Sequence, residues 1–166
     1  MILYIIIAVV LLIIDQITKA LVVANFTFVG DTLPIIRDFF HFTYVRNEGG
    51  MMGLDIGGNY WIFIIFGFIA LGVFGYLFKT TDWKDRRKIL YHISLSMLVA
   101  GALGNLIDRI FQPDHFVVDF IDFRGIWIYV FNVADMCLSI GISIFMFDQF
   151  ILDPKRLKAD ADANRV

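Results

Sequence analysis

Long apolar runs alternate with short polar interruptions along this chain, and that rhythm predicts its elements. Four runs come near the ~20 residues a helix needs to cross a bilayer's hydrocarbon core. They fall at about 2–23, 56–78, 89–110 and 132–152. The second holds no charged residue, and the third is uncharged until Asp108 and Arg109. The fourth carries Asp135 near its start and Asp148 near its end. The stretch from about 24 to 55 is too long for a simple connector. In its middle, FFHFTYVRN alternates, with Phe40, Phe42 and Tyr44 on one face and His41, Thr43 and Val45 on the other. That period of two predicts a strand. An aromatic strand face outside the spans suits a small sheet resting on lipid headgroups. The following NEGGMMGLDIGG is glycine-rich, and a movable flap and a slack linker fit it equally. The stretch from about 111 to 131 ends in VVDFIDFRGIWIYVFN, whose apolar runs flank Arg124–Gly125. A hairpin or an extended interfacial segment fits there. The fold class expected is an all-α integral membrane protein. It has four transmembrane helices and a small extracytoplasmic β-rich cradle, in a single membrane domain over 1–166.

Composition supports lipid as the solvent. The chain is 59% hydrophobic and 18% charged, with 18 Phe. A soluble domain is roughly 45–50% apolar and about 25% charged, and one small soluble core could not hide that many aromatic rings. Net charge, −2, decides little, but its distribution sets an orientation. Lys79, Lys84, Arg86, Arg87 and Lys88 follow the second span, and Lys155, Arg156 and Lys158 follow the fourth. The other two connections carry few cations: Arg37 and Arg46 beyond Lys19, then Arg109 and Arg124. The positive-inside bias predicts both termini cytoplasmic. The first run has no leading Lys or Arg and no small-residue cleavage site, so it reads as a retained helix. A single cysteine, Cys137, excludes an intramolecular disulfide and a zinc-type cluster. His41, His92 and His115 match no metal-ligand spacing. No metal, cofactor or nucleic acid is expected.

Charges inside spans cost about 2.5–3.5 kcal/mol each, so each is a functional candidate. Asp15 and Lys19 stand at i and i+4, the favourable order for a helical ion pair. The bland reading is a self-neutralising pair with Lys19 snorkelling to the surface. Asp15 could equally orient a neighbouring group. Asn105, Asp108 and Arg109 share a stripe at the end of the third span, with Gly101 and Gly104 allowing close approach. Helix packing with an interfacial salt bridge explains the glycines better than it explains Asn105. Asn132 suits a helix N-cap, which places Asp135 in the first turn. Taken singly, Asp135 reads as a capping carboxylate and Asp119 as a loop acid. Topology brings the third span's end and the fourth span's start to one side, so the two can approach. Adjacent carboxylates cannot both ionise and share a proton. The ionised partner can then activate water while the protonated one hydrogen-bonds a peptide carbonyl. No Gly-x-Ser-x-Gly, His-Glu-x-x-His, Walker or dinucleotide motif competes. Two other classes are weighed against this. A transporter would use Asp15, Asp108 and Asp135 as a proton path, but the acids gather near one surface. An assembly factor would use the polar groups only to join helices.

The ordered set DQITK, RNEGG, GALGNLIDR, VVDFID and FNVAD resembles the lipoprotein signal peptidases, or signal peptidase II. The match runs from Asp15 to Asp135. The resemblance implies a monomeric aspartyl endopeptidase of the bacterial inner membrane, with its site near the extracytoplasmic surface. Its substrate would be a prolipoprotein carrying a diacylglyceryl group, cleaved just before the lipidated cysteine, and membrane lipid would be its other partner. It implies Asp119 and Asp135 as the catalytic pair. Asn47, Asn105, Arg109 and Asn132 would hold the substrate backbone and keep the pair placed. Asp15, Lys19, Asp108 and Ala134 would support the site, and Gly49, Gly101 and Gly104 would leave room for substrate. One departure stands out. Family members usually continue from Arg-Asn into Gly-Ala-Ala and an aromatic, whereas this chain reads Glu48-Gly49-Gly50-Met51-Met52-Gly53.

Overall fold

The computed structural model describes residues 1–49 and 59–164. The glycine-rich segment 50–58, where a flap or linker was expected, lies outside the described residues. Among the described residues, four helices are long and apolar enough to cross a membrane. Helix α1 spans Ile2–Asn25, α2 Tyr60–Thr80 and α3 Ile89–Phe111. Helix α4 spans Val133–Phe147 and runs on through a π-helical turn, Asp148–Leu152, into α5, Asp153–Ala163. The second helix begins at Tyr60, four residues later than the apolar run, with Asn59 at its N-cap. The fourth outlasts its apolar run because a polar segment, with Pro154 in the first turn, continues the helix as α5.

Helix α3 is the hub: α1, α2 and α4 all pack on it. Small residues make this possible, since apolar side chains gain nothing by leaving lipid and close backbone approach must do the joining. A Cβ on Gly101 would lie 2.6 Å from the carbonyl oxygen of Ala134. One on Gly104 would lie 2.5 Å from Asp15 Oδ2 and 3.0 Å from the Ala134 Cβ. Both glycines therefore make room for α4 and for Asp15. This is the close helix approach that the two glycines also allowed.

A three-stranded antiparallel sheet, in the order β1–β2–β3, stands at the end of the bundle where α1 and α3 finish and α4 starts. Its strands are β1 Thr32–Ile36, β2 Phe40–Asn47 and β3 Val117–Phe123. The all-α label therefore needs widening to a helical bundle with a sheet. A core of Val22, Tyr44, Phe116, Val118, Phe120 and Ile121 seats the sheet on α1. After β3 the chain turns at Arg124–Gly125, and Phe131 pairs back onto Ile121. The stretch forms a loop closed by that single bridge, with Ile126 and Ile128 exposed.

The strand expected at FFHFTYVRN is present, but its alternation breaks. Phe42 pairs with Ile121 and Val45 with Asp119, one residue out of register. This bulge re-aims the strand's end. Thr43 bonds Asp122 at 2.7 Å, whereas Asn47 bonds Asp119 at 2.8 Å. Asp119 and Asp122 point to opposite faces of β3. Positions 43 and 47, which strict alternation puts together, thus end on opposite faces.

Candidate active site

Asp119 enters from β3 and Asp135 from the first turn of α4, and Asn132 joins them. Asn132 caps α4: its Oδ1 accepts from the Asp135 N–H at 2.8 Å. Asp135 Oδ2 in turn accepts from the Asn132 N–H at 3.3 Å. This reciprocal box satisfies two backbone donors the helix end would otherwise orphan. The remaining Asn132 donor, Nδ2, reaches Asp119 Oδ1 at 2.7 Å and Asn105 Oδ1 at 3.1 Å. Asn47 Nδ2 donates to the other Asp119 oxygen at 2.8 Å. Asn105 Nδ2 donates to Asp135 Oδ1 at 2.7 Å. Three asparagines, from β2, α3 and the α4 cap, therefore hold both carboxylates with neutral donors.

Asp119 is 1% exposed. Burial, then the charge of Asp135, pushes its carboxyl up to about 7. The hydrogen bonds from Asn47 and Asn132 and the distant charge of Lys19 oppose that rise without cancelling it. An ionised carboxylate so placed trades water for two amide donors, an incomplete exchange.

Behind the pair lies a buried ionic group. Lys19 Nζ sits 2.9 Å from Asp15 Oδ2, 3.0 Å from Asp108 Oδ2 and 3.0 Å from Asn105 Oδ1. The expected Asp15–Lys19 pair forms, but Lys19 is 2% exposed. It turns into α3 instead of snorkelling outward, because a second carboxylate and an amide oxygen await it there. Asp15 Oδ1 accepts from the Ala134 N–H at 2.8 Å, and Asp108 Oδ2 from the Val118 N–H at 3.1 Å. The cluster thereby grips the backbone one residue before each aspartate of the pair. Asn105, Asp108 and Arg109 start from one stripe but part company. Arg109 donates to the carbonyls of Glu48 at 3.0 Å and His115 at 2.9 Å, and also to that of Gly49. Its guanidinium lies 5.0 Å over the Phe63 ring. Arg109 thus holds the chain that enters segment 50–58.

Two residues escaped the sequence reading. Gln16 Nε2 lies within reach of Asp15 Oδ2, Asp108 Oδ1 and the Gly104 carbonyl, at 3.1, 3.3 and 3.2 Å. Its place beside Asp15 in DQITK was the available signal. His115, whose ring stacks on Tyr60 at 4.1 Å, also bonds the Arg109 carbonyl through Nδ1 at 2.8 Å. Nothing in its sequence neighbourhood announces that contact.

Among the described residues, Asp135 borders two cavities. One, about 240 Å³, runs between α2, α3 and α4 past Phe63, Gly67, Leu106 and Leu138 to Asn105 and Arg109. The other, about 430 Å³, lies between the 123–131 loop and α4, past Trp127, Phe131 and Met136. Asn47 borders both. Both walls are mainly apolar, with a few polar groups at one point, the usual make-up of a ligand cleft.

The fold and this site define a multi-pass membrane protein with paired carboxylates at one end of a helical bundle. Residues 7–151 match the family model described as signal peptidase (SPase) II, and the chain belongs to that family, whose members process lipoproteins. A lipoprotein signal peptidase of Clostridioides difficile is 44% identical over 139 residues, covering 84% of this chain and 88% of the relative. That of Fusobacterium nucleatum is 39% identical over 155 residues, covering 92% and 89%. A bacterial membrane enzyme solved by the in meso method at 2.3 Å superposes with a TM-score of 0.76 at 36% identity, covering 88% of this chain and 86% of that one.

Proposed function

We propose that this chain is an aspartyl endopeptidase that removes signal peptides from diacylglyceryl-modified prolipoproteins, cleaving before the lipidated cysteine. The observation that carries the proposal is the shared Asn132. It bonds Asp119 through its side-chain Nδ2 and brackets Asp135 with its backbone N–H and its side-chain Oδ1. Two acids on separate elements are thereby locked into one unit that keeps a proton near neutral pH. Asp135 borders both cavities and acts as the base that takes a proton from water. Asp119, set deeper, holds the shared proton and gives it to the scissile carbonyl oxygen as hydroxide adds to the carbon. The C–N bond then breaks as the leaving amine takes the proton Asp135 removed from water, and the collapsing diol returns a proton to Asp119. The asparagines orient both without donating charge. The apolar cavities receive the signal sequence and the acyl chains.

The orientation proposed places both termini in the cytoplasm and the site near the extracytoplasmic surface, on the Lys/Arg bias. The experiment uses full-length protein in detergent with a lipid-modified prolipoprotein and follows cleavage by gel shift. Asp119→Asn and Asp135→Asn are each expected to abolish cleavage while leaving the protein folded, and a chelator is expected to leave it unchanged. Normal turnover by either variant would remove the pair from the mechanism.

A further inference from the structure

At the other end of the bundle an apolar cavity of about 270 Å³ opens between α1, α2 and α3, away from Asp119 and Asp135. Ile5 to Leu12 of α1 form one wall, a rise of about 10 Å over seven residues. Phe78 forms another, and Val99 and Leu103 of α3 line it too. Gly75 keeps it open: a Cβ there would meet nothing within 4 Å. One charged residue, Lys79, borders it, in the last turn of α2. Arg87, Lys88 and Arg156, at the same end, are each engaged by carboxylates. Among the described residues no carboxylate lies within ion-pair distance of Lys79. Beside the mouth, Trp83 packs on Phe78 at 4.4 Å and on Tyr4 at 5.2 Å. Trp and Tyr prefer the headgroup level of a bilayer. Apolar trough, aromatic rim and free cation follow one another from membrane interior to membrane surface.

We propose that this groove binds one anionic phospholipid, with an acyl chain along α1 and α2 and its phosphate at Lys79. Charge chooses the occupant. A signal sequence would bring its own positive end to this side, next to Lys79, whereas a lipid phosphate complements it. An anionic headgroup is attracted by about 1 kcal/mol per nearby lysine, about fivefold in affinity.

The test measures lipid retained by the full chain in native mass spectrometry, with added phosphatidylglycerol, phosphatidylcholine or inorganic phosphate. The expected result is one phosphatidylglycerol per chain, retained in preference to phosphatidylcholine. Lys79→Ala should lower its affinity about fivefold. Gly75→Leu, which fills the trough on a helix that accepts leucine, should displace both lipids. Lys84→Ala, at the same end but outside the groove, should change nothing. Equal retention of the two lipids, an unchanged Lys79→Ala variant or an equal loss in Lys84→Ala would overturn the proposal. Inorganic phosphate competing as well as the lipid would reduce it to an anion site. Displacement of the lipid by a signal peptide would give the groove to substrate.

Discussion

Asp119→Asn is expected to kill the enzyme and strengthen the fold, and the two effects have one cause. In an unfolded chain an aspartate loses its proton near 3.9; in the fold Asp119 keeps its proton up to about 7. Across that window the native chain binds a proton the unfolded chain has released. Wild-type stability therefore falls as pH rises from about 4 to about 7 and stays lower above it. Three units at 1.36 kcal/mol each make the native state about 4 kcal/mol less stable at pH 8 than at pH 4 through this one group. Asparagine keeps the shape and never ionises. It offers one acceptor oxygen to the two donors at 2.7 and 2.8 Å, so an amide must turn, at about 1 kcal/mol. The net gain at pH 8 is about 3 kcal/mol, shrinking to less than 1 kcal/mol at pH 5. Thermal unfolding in detergent, followed by tryptophan fluorescence at pH 5, 6, 7 and 8, measures it for both proteins. The diagnostic quantity is the widening gap, since the hydrogen-bond loss is the same at every pH. Parallel stability curves, or a variant weaker than wild type at pH 8, would show that the fold does not hold a proton on Asp119.

The same proton should shape catalysis: cleavage by the wild type is expected to fall on the alkaline side with a midpoint near 7, and a flat profile to pH 9 in folded protein would contradict a shared proton. Lys19→Met leaves Asp15 and Asp108 facing each other unneutralised and should destabilise the fold by about 3–5 kcal/mol, read as a lowered unfolding temperature; an unchanged temperature would mean the cluster is solvated. Gly104→Ala pushes a methyl group against Asp15 and Ala134 and should cost about 1–3 kcal/mol and most of the activity. Gly72→Ala, which meets nothing within 4 Å, should be neutral or stabilising by up to about 1 kcal/mol in the same assays. Arg156→Ala strands the buried Asp148, which it meets at 2.5 and 3.0 Å, and should cost about 3–5 kcal/mol with little change in the turnover of protein that remains folded.

Hydrophobic length made the four helices legible, because lipid forces every backbone polar group to be satisfied within its own segment. Capping chemistry made Asn132 and Asp135 legible, since a local motif needs no knowledge of the rest of the fold. Interactions between distant segments were the ones misread. Lys19 looked like a surface cation because its i−4 partner was visible and Asp108, far along the chain, was not. Gly101 and Gly104 were legible as points of close approach, but that α4 is what lies against them was not. Asn47 was found through its motif and not through its strand. Strict alternation would have turned it away from Asp119, and only the one-residue bulge after Phe42 brings it round. Helix α5 was missed because a polar tail carries no apolar period, although Asp153–Pro154 is a helix-start signal.

The use of neutral donors on Asp119 and Asp135 is a design constraint that the charged cluster makes possible. A lysine in direct contact with Asp119 or Asp135 would stabilise the ionised form and strip the pair of its proton. Lys19 is kept one group away: its ammonium bonds Asn105 Oδ1, and Asn105 passes an amide N–H to Asp135. The positive charge is met by Asp15 and Asp108; Asp15 uses its other oxygen to fix the Ala134 N–H, and Asp108 Oδ2 takes both Lys19 and the Val118 N–H. Position is thus supplied by ions, while burial and the neighbouring carboxylate, not the amides, raise the Asp119 carboxyl, in two separate layers. Replacing Asn105 by aspartate merges the layers by adding a third acid to the pair, and replacing it by leucine cuts them apart, leaving Lys19 without one of its three acceptors. On this argument Asn105 is where the supporting cluster and the proposed chemistry can be uncoupled with least change in backbone.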